Sequence, residues 1–265
     1  MLNTDKEILE QAKGVAVEVY KDALSPVVKP IGEILGFLPR TIKLALSGWE
    51  KWLINGEESL KLTAEAIKEK VQQIPKEKLV EPEPYVAIPA IQQISYCQNS
   101  AELRDLYANL LTSSMNVDKK WQVHPSFVDI IKQLNPDEAK YLKALTPSII
   151  ILYPLVDKYF KLGNNKGRHP IISNFTDENI KILEHPENIC EYIDNFLRLK
   201  LIEIPDGELS DKEPYKTIEN HPLIQNPVKF HSSNSRTAIT YTIKRKMFRL
   251  TNFGVNFIKV VCTET

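Results

Sequence analysis

Near residue 145 the spacing of apolar residues changes, and no other feature of this chain constrains its fold as strongly. Before that point apolar residues recur every three or four positions. Ile8, Ala12, Val15, Val19 and Ala23 fall on one helical face, as do Leu60, Ala64, Ile67, Val71 and Ile74. Leu103, Leu106, Leu110 and Leu111 repeat the pattern in AELRDLYANLLTSSM. Beyond it, residues 148–156 (SIIILYPLV) and 237–251 (TAITYTIKRKMFRLT) carry the β-branched and aromatic signature of strands. The expected fold is mainly α: an N-terminal helical bundle followed by a C-terminal α+β winged-helix-like domain. The expected boundaries are 1–84 for an apolar and amphipathic helical region with its linker, 85–134 for central helices, and 135–265 for the winged-helix-like part.

Local signals punctuate these segments. Asn99 or Ser100 caps the helix over AELRDLYANLLTSSM. HPSFVDIIKQL, residues 124–134, reads as a short helix. Asn135 and Glu138 have capping-box spacing, with Pro136 at the first helical position. PKEKLVEPEPY, residues 75–85, reads as an extended linker, because three prolines oppose helix. Residues 163–170 read as a loop, 187–204 as a helix running into a short strand, and 205–236 as polar, turn-rich chain. Thr251 or Asn252 caps a last helix containing Phe253, Phe257, Ile258 and Val261. A helix ending in FLRLKLIEI, answered much later by FRLTNFGVNFI, is the frame of a wing: two strands in a hairpin and a terminal helix packing back.

Residues 27–54 (VVKPIGEILGFLPRTIKLALSGWEKWLI) are more apolar than a surface helix needs to be. Lys29, Glu33, Arg40 and Lys43 interrupt them too often for a membrane span, which takes about 20 nearly uncharged residues. Two readings stay open. These are core helices of a bundle, or an interfacial hairpin in which Gly32 and Gly36 permit close helix approach while Trp49 and Trp52 sit at a water–lipid boundary.

Lys+Arg and Asp+Glu each number 34, so any attraction to nucleic acid or anionic lipid has to come from local clustering. One cluster exists. Seven cations and no acid lie between Lys229 and Lys259, after an acid-rich stretch from Glu203 to Glu219. Lys244, Arg245, Lys246 and Arg249 form its dense part and are candidate anion or nucleic-acid ligands. The plainer reading is a solvated hairpin whose cations pair with the acidic insert. Alternation along a strand also puts Lys244 and Lys246 on one face and Arg245 on the other.

Chemistry is harder to find. Cys97, Cys190 and Cys262 are far apart and read as buried thiols. Four of the five histidines (His124, His169, His185 and His221) precede proline and read as loop punctuation. Asp137/Glu138 and Asp177/Glu178 are adjacent pairs that suit first turns of helices. No GxSxG, P-loop or metal spacing occurs, so neither an enzyme, a cofactor nor a metal is expected. The N-terminus, charged from Asp5 onward, has no signal-peptide core, so a cytoplasmic protein is expected, with peripheral contact at the inner membrane if residues 14–54 meet lipid.

The central block resembles the abortive-infection alpha family of bacterial proteins. The residues that carry the resemblance are Ala101-Glu102-Leu103-Arg104-Asp105-Leu106-Tyr107-Ala108-Asn109-Leu110-Leu111, then Ser114-Met115, His124-Pro125-Ser126-Phe127-Val128, and Ile131 through Ala139. The resemblance implies antiphage defence, in which an infected cell stops growing or dies, and it carries no catalytic residue. It leaves a non-enzymatic sensor or effector as the first expectation and a winged-helix nucleic-acid-binding regulator as the alternative. The partners to expect are a protein or phage-derived trigger, lipid, nucleic acid, or a second copy of the chain.

Overall fold

A computed structural model describes residues 57–94, 96–97, 99–162, 167–225 and 239–263. Helix α1 (Glu57–Gln72) buries Ile67 and Val71, followed by Ile74 just beyond its end. Its stripe packs against α3 (Ala101–Ser114), the central helix of the molecule. Ser100 caps α3 by accepting the Leu103 N–H at 3.2 Å. From Leu106 to Ser114 every side chain of α3 is buried, so it is surrounded by packing partners on all sides. Helices α2 (Pro84–Ile94), α4 (Ser126–Lys132) and α5 (Pro136–Ala144) pack around it.

The segment read as a linker is extended only in part. A 3-10 turn at Lys76–Lys78 precedes Leu79, which bridges to Asn116. Helix α2 starts at Pro84, where a missing N–H costs nothing. Its Pro89 leaves the Tyr85 carbonyl without an intrahelical donor. Asn135 and Glu138 form the expected capping box at α5, each side chain bonding the other's backbone N–H at 2.8 and 2.7 Å.

The second half is a curled four-stranded antiparallel sheet in the order β2-β1-β4-β3, with helices beside it. Its strands are β1 (Tyr153–Leu162), β2 (His169–Phe175), β3 (Ile202–Glu203) and β4 (Ile239–Leu250). The described residues are thus mixed helix and antiparallel sheet. The strand expected at 148–156 begins instead at Tyr153, and Ile149 to Leu152 form an exposed loop with Ile150 84% accessible. Alternation explains the difference. From Tyr153 the chain can pair with β4 from Phe248 to Ile239 while burying Leu155 and Val156 on its two faces. The loop expected at 163–170 gives way to β2 at His169. The insert read as turn-rich holds helix α7 (Glu213–Glu219) and the short α8 (Pro222–Gln225). Tyr215 and Ile218 of α7 are fully buried against the sheet, and the Tyr215 hydroxyl donates to the Lys246 carbonyl at 2.7 Å.

Helix α6 (Ile189–Arg198) runs into β3, whose Ile202 and Glu203 pair with Leu250 and Arg249. Thr251 then caps α9 (Asn252–Phe257), accepting the Gly254 N–H at 2.9 Å. A π-helical turn, Ile258–Cys262, ends the described chain. The last carbonyls of any helix lack intrahelical donors. Here α3 supplies them: Asn109 Nδ2 donates to the Val261 oxygen at 2.9 Å and Ser113 Oγ to the Val260 oxygen at 3.0 Å. One apolar core, running from Ile67 to Cys262, joins both halves.

Candidate functional site

The residues expected to meet lipid (Gly32, Gly36, Trp49 and Trp52) lie outside the described residues. Among the described ones, no helix is long and apolar enough to cross a membrane.

The four clustered cations are all on β4, and three of them are held by carboxylates. Arg245 makes a forked pair with Glu219 at 2.6 and 3.1 Å and stacks 5.4 Å from the centre of the Tyr215 ring. Lys246 meets Asp157 at 2.6 Å with both side chains nearly buried. Arg249 bonds Glu203 at 2.8 Å. Glu203 and Glu219 bound the acid-rich insert, so its two ends fold back onto the basic strand. Lys244 alone of the four is exposed and has no carboxylate partner among the described residues. Exposed pairs of this kind contribute roughly 0–1 kcal/mol. Arg249→Ala should therefore leave the urea midpoint almost unchanged, and a loss of more than about 1 kcal/mol would show that Arg249 does more than pair at the surface.

Asp157 is the centre of a denser network. Burial pushes its carboxyl up. Lys246, the Asn174 N–H at 2.9 Å and the Tyr159 hydroxyl at 2.9 Å outweigh that, and the net shift is downward. Asn174 sits at φ 59, beside two register shifts in the β1–β2 pairing. Asn tolerates that conformation because its short polar side chain bonds locally. Its amide donates to Asp194 at 2.7 Å and its oxygen accepts from Lys246 at 2.5 Å.

The most site-like feature was not read from the sequence. An open cleft of about 1290 Å³ lies between the chain around Asp177–Glu187 and the α7–α8 insert. Asp177, Glu178 and His221 line it, together with Lys181, Lys216, Thr217 and Asn220. Ile182 and Leu223, both largely exposed, give it an apolar rim. Asp137 and Glu138 do occupy the first turn of α5, as expected. Asp177 and Glu178 do not begin a helix. They precede a left-handed Asn179 (φ 55) and a three-residue 3-10 turn. Burial raises both carboxyls above their usual range; His221 pulls Asp177 back in part, and Asp177 pushes Glu178 up further. His221 is oriented by the Leu223 N–H, which donates to its Nδ1 at 3.3 Å, and by the Phe175 ring at 5.0 Å. Carboxyls with raised proton affinity beside an imidazole can bind a polar ligand or exchange protons with it. Among the described residues no group of His, Cys, Asp and Glu is placed to hold a metal ion. Sequence spacing could not reveal this cleft, because its walls come from segments some 40 positions apart in the chain.

The model of the family described as Abortive infection alpha matches residues 55–261. The chain belongs to the abortive infection alpha family. That membership makes it an abortive-infection, defence-related protein. No curated protein and no solved structure shows significant similarity to it. The string that carries the family resemblance has a structural explanation in this member. Leu106, Tyr107, Leu110 and Leu111 are core, Asn109 caps the C-terminal turn, and Asn135, Asp137 and Glu138 secure the start of α5.

Proposed function

We propose that this family member is a non-enzymatic antiphage defence protein in which the part beyond residue 56 senses a trigger and the N-terminal third carries out the response at the inner membrane. The cleft beside Asp177, Glu178 and His221 carries the sensing half of this reading. Its size suits a small ligand or a protruding peptide, and its polar walls with an apolar rim are the usual composition of a binding site. A binding role fits better than a reaction. Thr217 is the only aliphatic hydroxyl among the described lining residues, no cysteine joins it, and two of the cleft's three carboxyls, Asp177 and Glu178, come from consecutive positions, with Glu187 the third. The family match starts at residue 55, directly after the apolar, glycine-bearing stretch 27–54, which supports a separate role for that stretch.

A phage challenge in a sensitive host tests both halves. Thr217→Trp, at an exposed position, puts a bulky ring into the cleft without touching the core and should abolish protection while the protein stays folded. Removal of residues 1–56 should abolish both protection and vesicle leakage. Full protection by both variants would overturn the proposal. Loss of protection in Asp177→Asn with trigger binding intact would instead assign a reaction to the cleft.

The alternative is a winged-helix nucleic-acid-binding regulator. It is supported by the passage of α6 into β3, the pairing of β3 with β4 and the return of α9, with the β1–β2 hairpin standing beside that frame. In the same reading the helices before residue 57 form a bundle. Charge at the far end of the sheet bears on this alternative.

A further inference from the structure

The two longest acid-free stretches of the chain are residues 220–263, between Glu219 and Glu264, and residues 158–176, between Asp157 and Asp177. The β1–β4 register brings them together, from Lys158↔Ile243 out to Leu162↔Ile239. The outer half of the sheet is therefore built from acid-free strands within a protein of net charge zero. Near its base the cations are engaged: Lys158 donates to the Ile224 carbonyl, and Lys246 meets Asp157. Lys244, at the level of Asp157, and Lys161 and Arg168 further out make no carboxylate ion pair among the described residues, and Arg168 and Lys244 are exposed.

These groups share a side of the sheet. Tyr159↔Thr242 and Lys161↔Thr240 are cross-strand pairs, and Lys244 lies one period further along. The face thus presents Tyr159, Lys161, Thr240, Thr242 and Lys244, with Asp157 opposite Lys244, its carboxylate buried and already taken up by Lys246, the Asn174 N–H and the Tyr159 hydroxyl. Arg168, which directly precedes the His169 paired to Phe160, stands at the same end and acts on the Tyr159 phenol. The Thr242 hydroxyl is buried and has no hydrogen-bond partner among the described residues. The exposed apolar residues Tyr241 and Ile243 point to the other face, so this one offers cations and an aromatic ring, with Pro170 beside Tyr159. A basic sheet face with a tyrosine among its cations is the chemistry that holds an unpaired strand, with phosphates on Lys and Arg and a base on the ring.

We propose that this end of the sheet binds single-stranded nucleic acid, Lys161, Arg168 and Lys244 taking phosphates and Tyr159 stacking a base. The site is distinct from the cleft and does not depend on the sensing role given to it. It also moves the anion site away from Arg245, Lys246 and Arg249.

The test uses the full chain and a fluorescent oligothymidylate about 20 nucleotides long, longer than the span of one such sheet. Three phosphate contacts give a salt slope of about −2, so affinity should fall about 20-fold between about 50 and about 200 mM salt. The triple change Lys161→Gln, Arg168→Gln, Lys244→Gln should remove binding, whereas Lys259→Gln, an exposed cation elsewhere, should not. Tyr159→Leu should weaken binding by about fivefold to about 150-fold, and Tyr159→Phe should restore it. Thermal unfolding of each variant checks that these surface changes leave the fold intact. Any of three results would overturn the proposal: binding unaffected by the triple change, tighter binding to a duplex of the same length, or binding only to vesicles of anionic lipid.

Discussion

Gly254→Ala should be the most damaging single-methyl change in the molecule, lowering unfolding free energy by roughly 3 kcal/mol or more. A β-carbon at this position would stand 1.9 Å from the Leu201 carbonyl oxygen and 2.7 Å from its carbon. Both obstacles are backbone, so no rotamer change relieves them. Helix α9 cannot easily step back either. The Thr251 N–H bonds that same oxygen at 3.0 Å, and the Thr251 hydroxyl bonds the Lys200 carbonyl at 2.7 Å, where the chain turns through φ 60. Behind α9, Phe257, Ile258 and Val261 are almost wholly buried, and the following turn is held by Asn109 and Ser113. Retreat would therefore disturb α3 as well. A domain has only about 5–15 kcal/mol in total, so the urea midpoint should fall far. Val255→Ala, at a half-buried neighbour, serves as the control and should cost much less. A Gly254→Ala protein within about 1 kcal/mol of wild type would show that α9 has room to move away from the Leu201 carbonyl.

Asp137→Ala should cost roughly 3 kcal/mol at neutral pH and flatten the acid limb of the stability curve. The Asp137 carboxylate is buried and accepts three donors: the Glu184 N–H at 2.9 Å, the His185 N–H at 2.8 Å and the Tyr192 hydroxyl at 3.3 Å. Alanine leaves two backbone donors without a partner. Burial pushes the carboxyl up, but these donors and Lys140 outweigh it, so the folded state holds Asp137 below its ordinary value. The sign follows. The carboxylate's contribution is complete above the unfolded-state value near about 3.9 and is lost as pH falls through that value toward the folded one. Its neighbour Glu138 behaves oppositely. Burial dominates over Asn135, Asn195 and Arg198, raising its carboxyl, so the fold binds that proton first and relieves a buried charge as acid is added. Denaturant unfolding across pH 2–7 should show the wild-type acid loss reduced in Asp137→Ala, with Asp137→Asn intermediate because one oxygen still accepts. Parallel curves for wild type and Asp137→Ala would remove Asp137 from the acid response.

What was legible in the sequence is local. Ser100, Asn135 and Thr251 each cap the helix expected of them, because a cap needs only a short polar side chain three positions from an N–H. The β3–α9 frame was legible for the same reason. The SIIIL run misled, because apolar content alone cannot distinguish a buried strand from an exposed loop; pairing with β4 decides. Helices α7 and α8 were hidden in polar, proline-bearing chain, and their few apolar residues matter only once the sheet is there to cover.

The amino-acid order by itself determined where the capped helices begin, the change from helical to strand spacing, and the family. The tertiary structure alone decided which carboxylate quiets which cation, where two acid-free stretches meet, and that residues around Asp177 and His221 wall one cleft. Capping and periodicity act over a few residues along the backbone, whereas ion pairs and clefts depend on side chains that only long-range packing brings within a few ångströms.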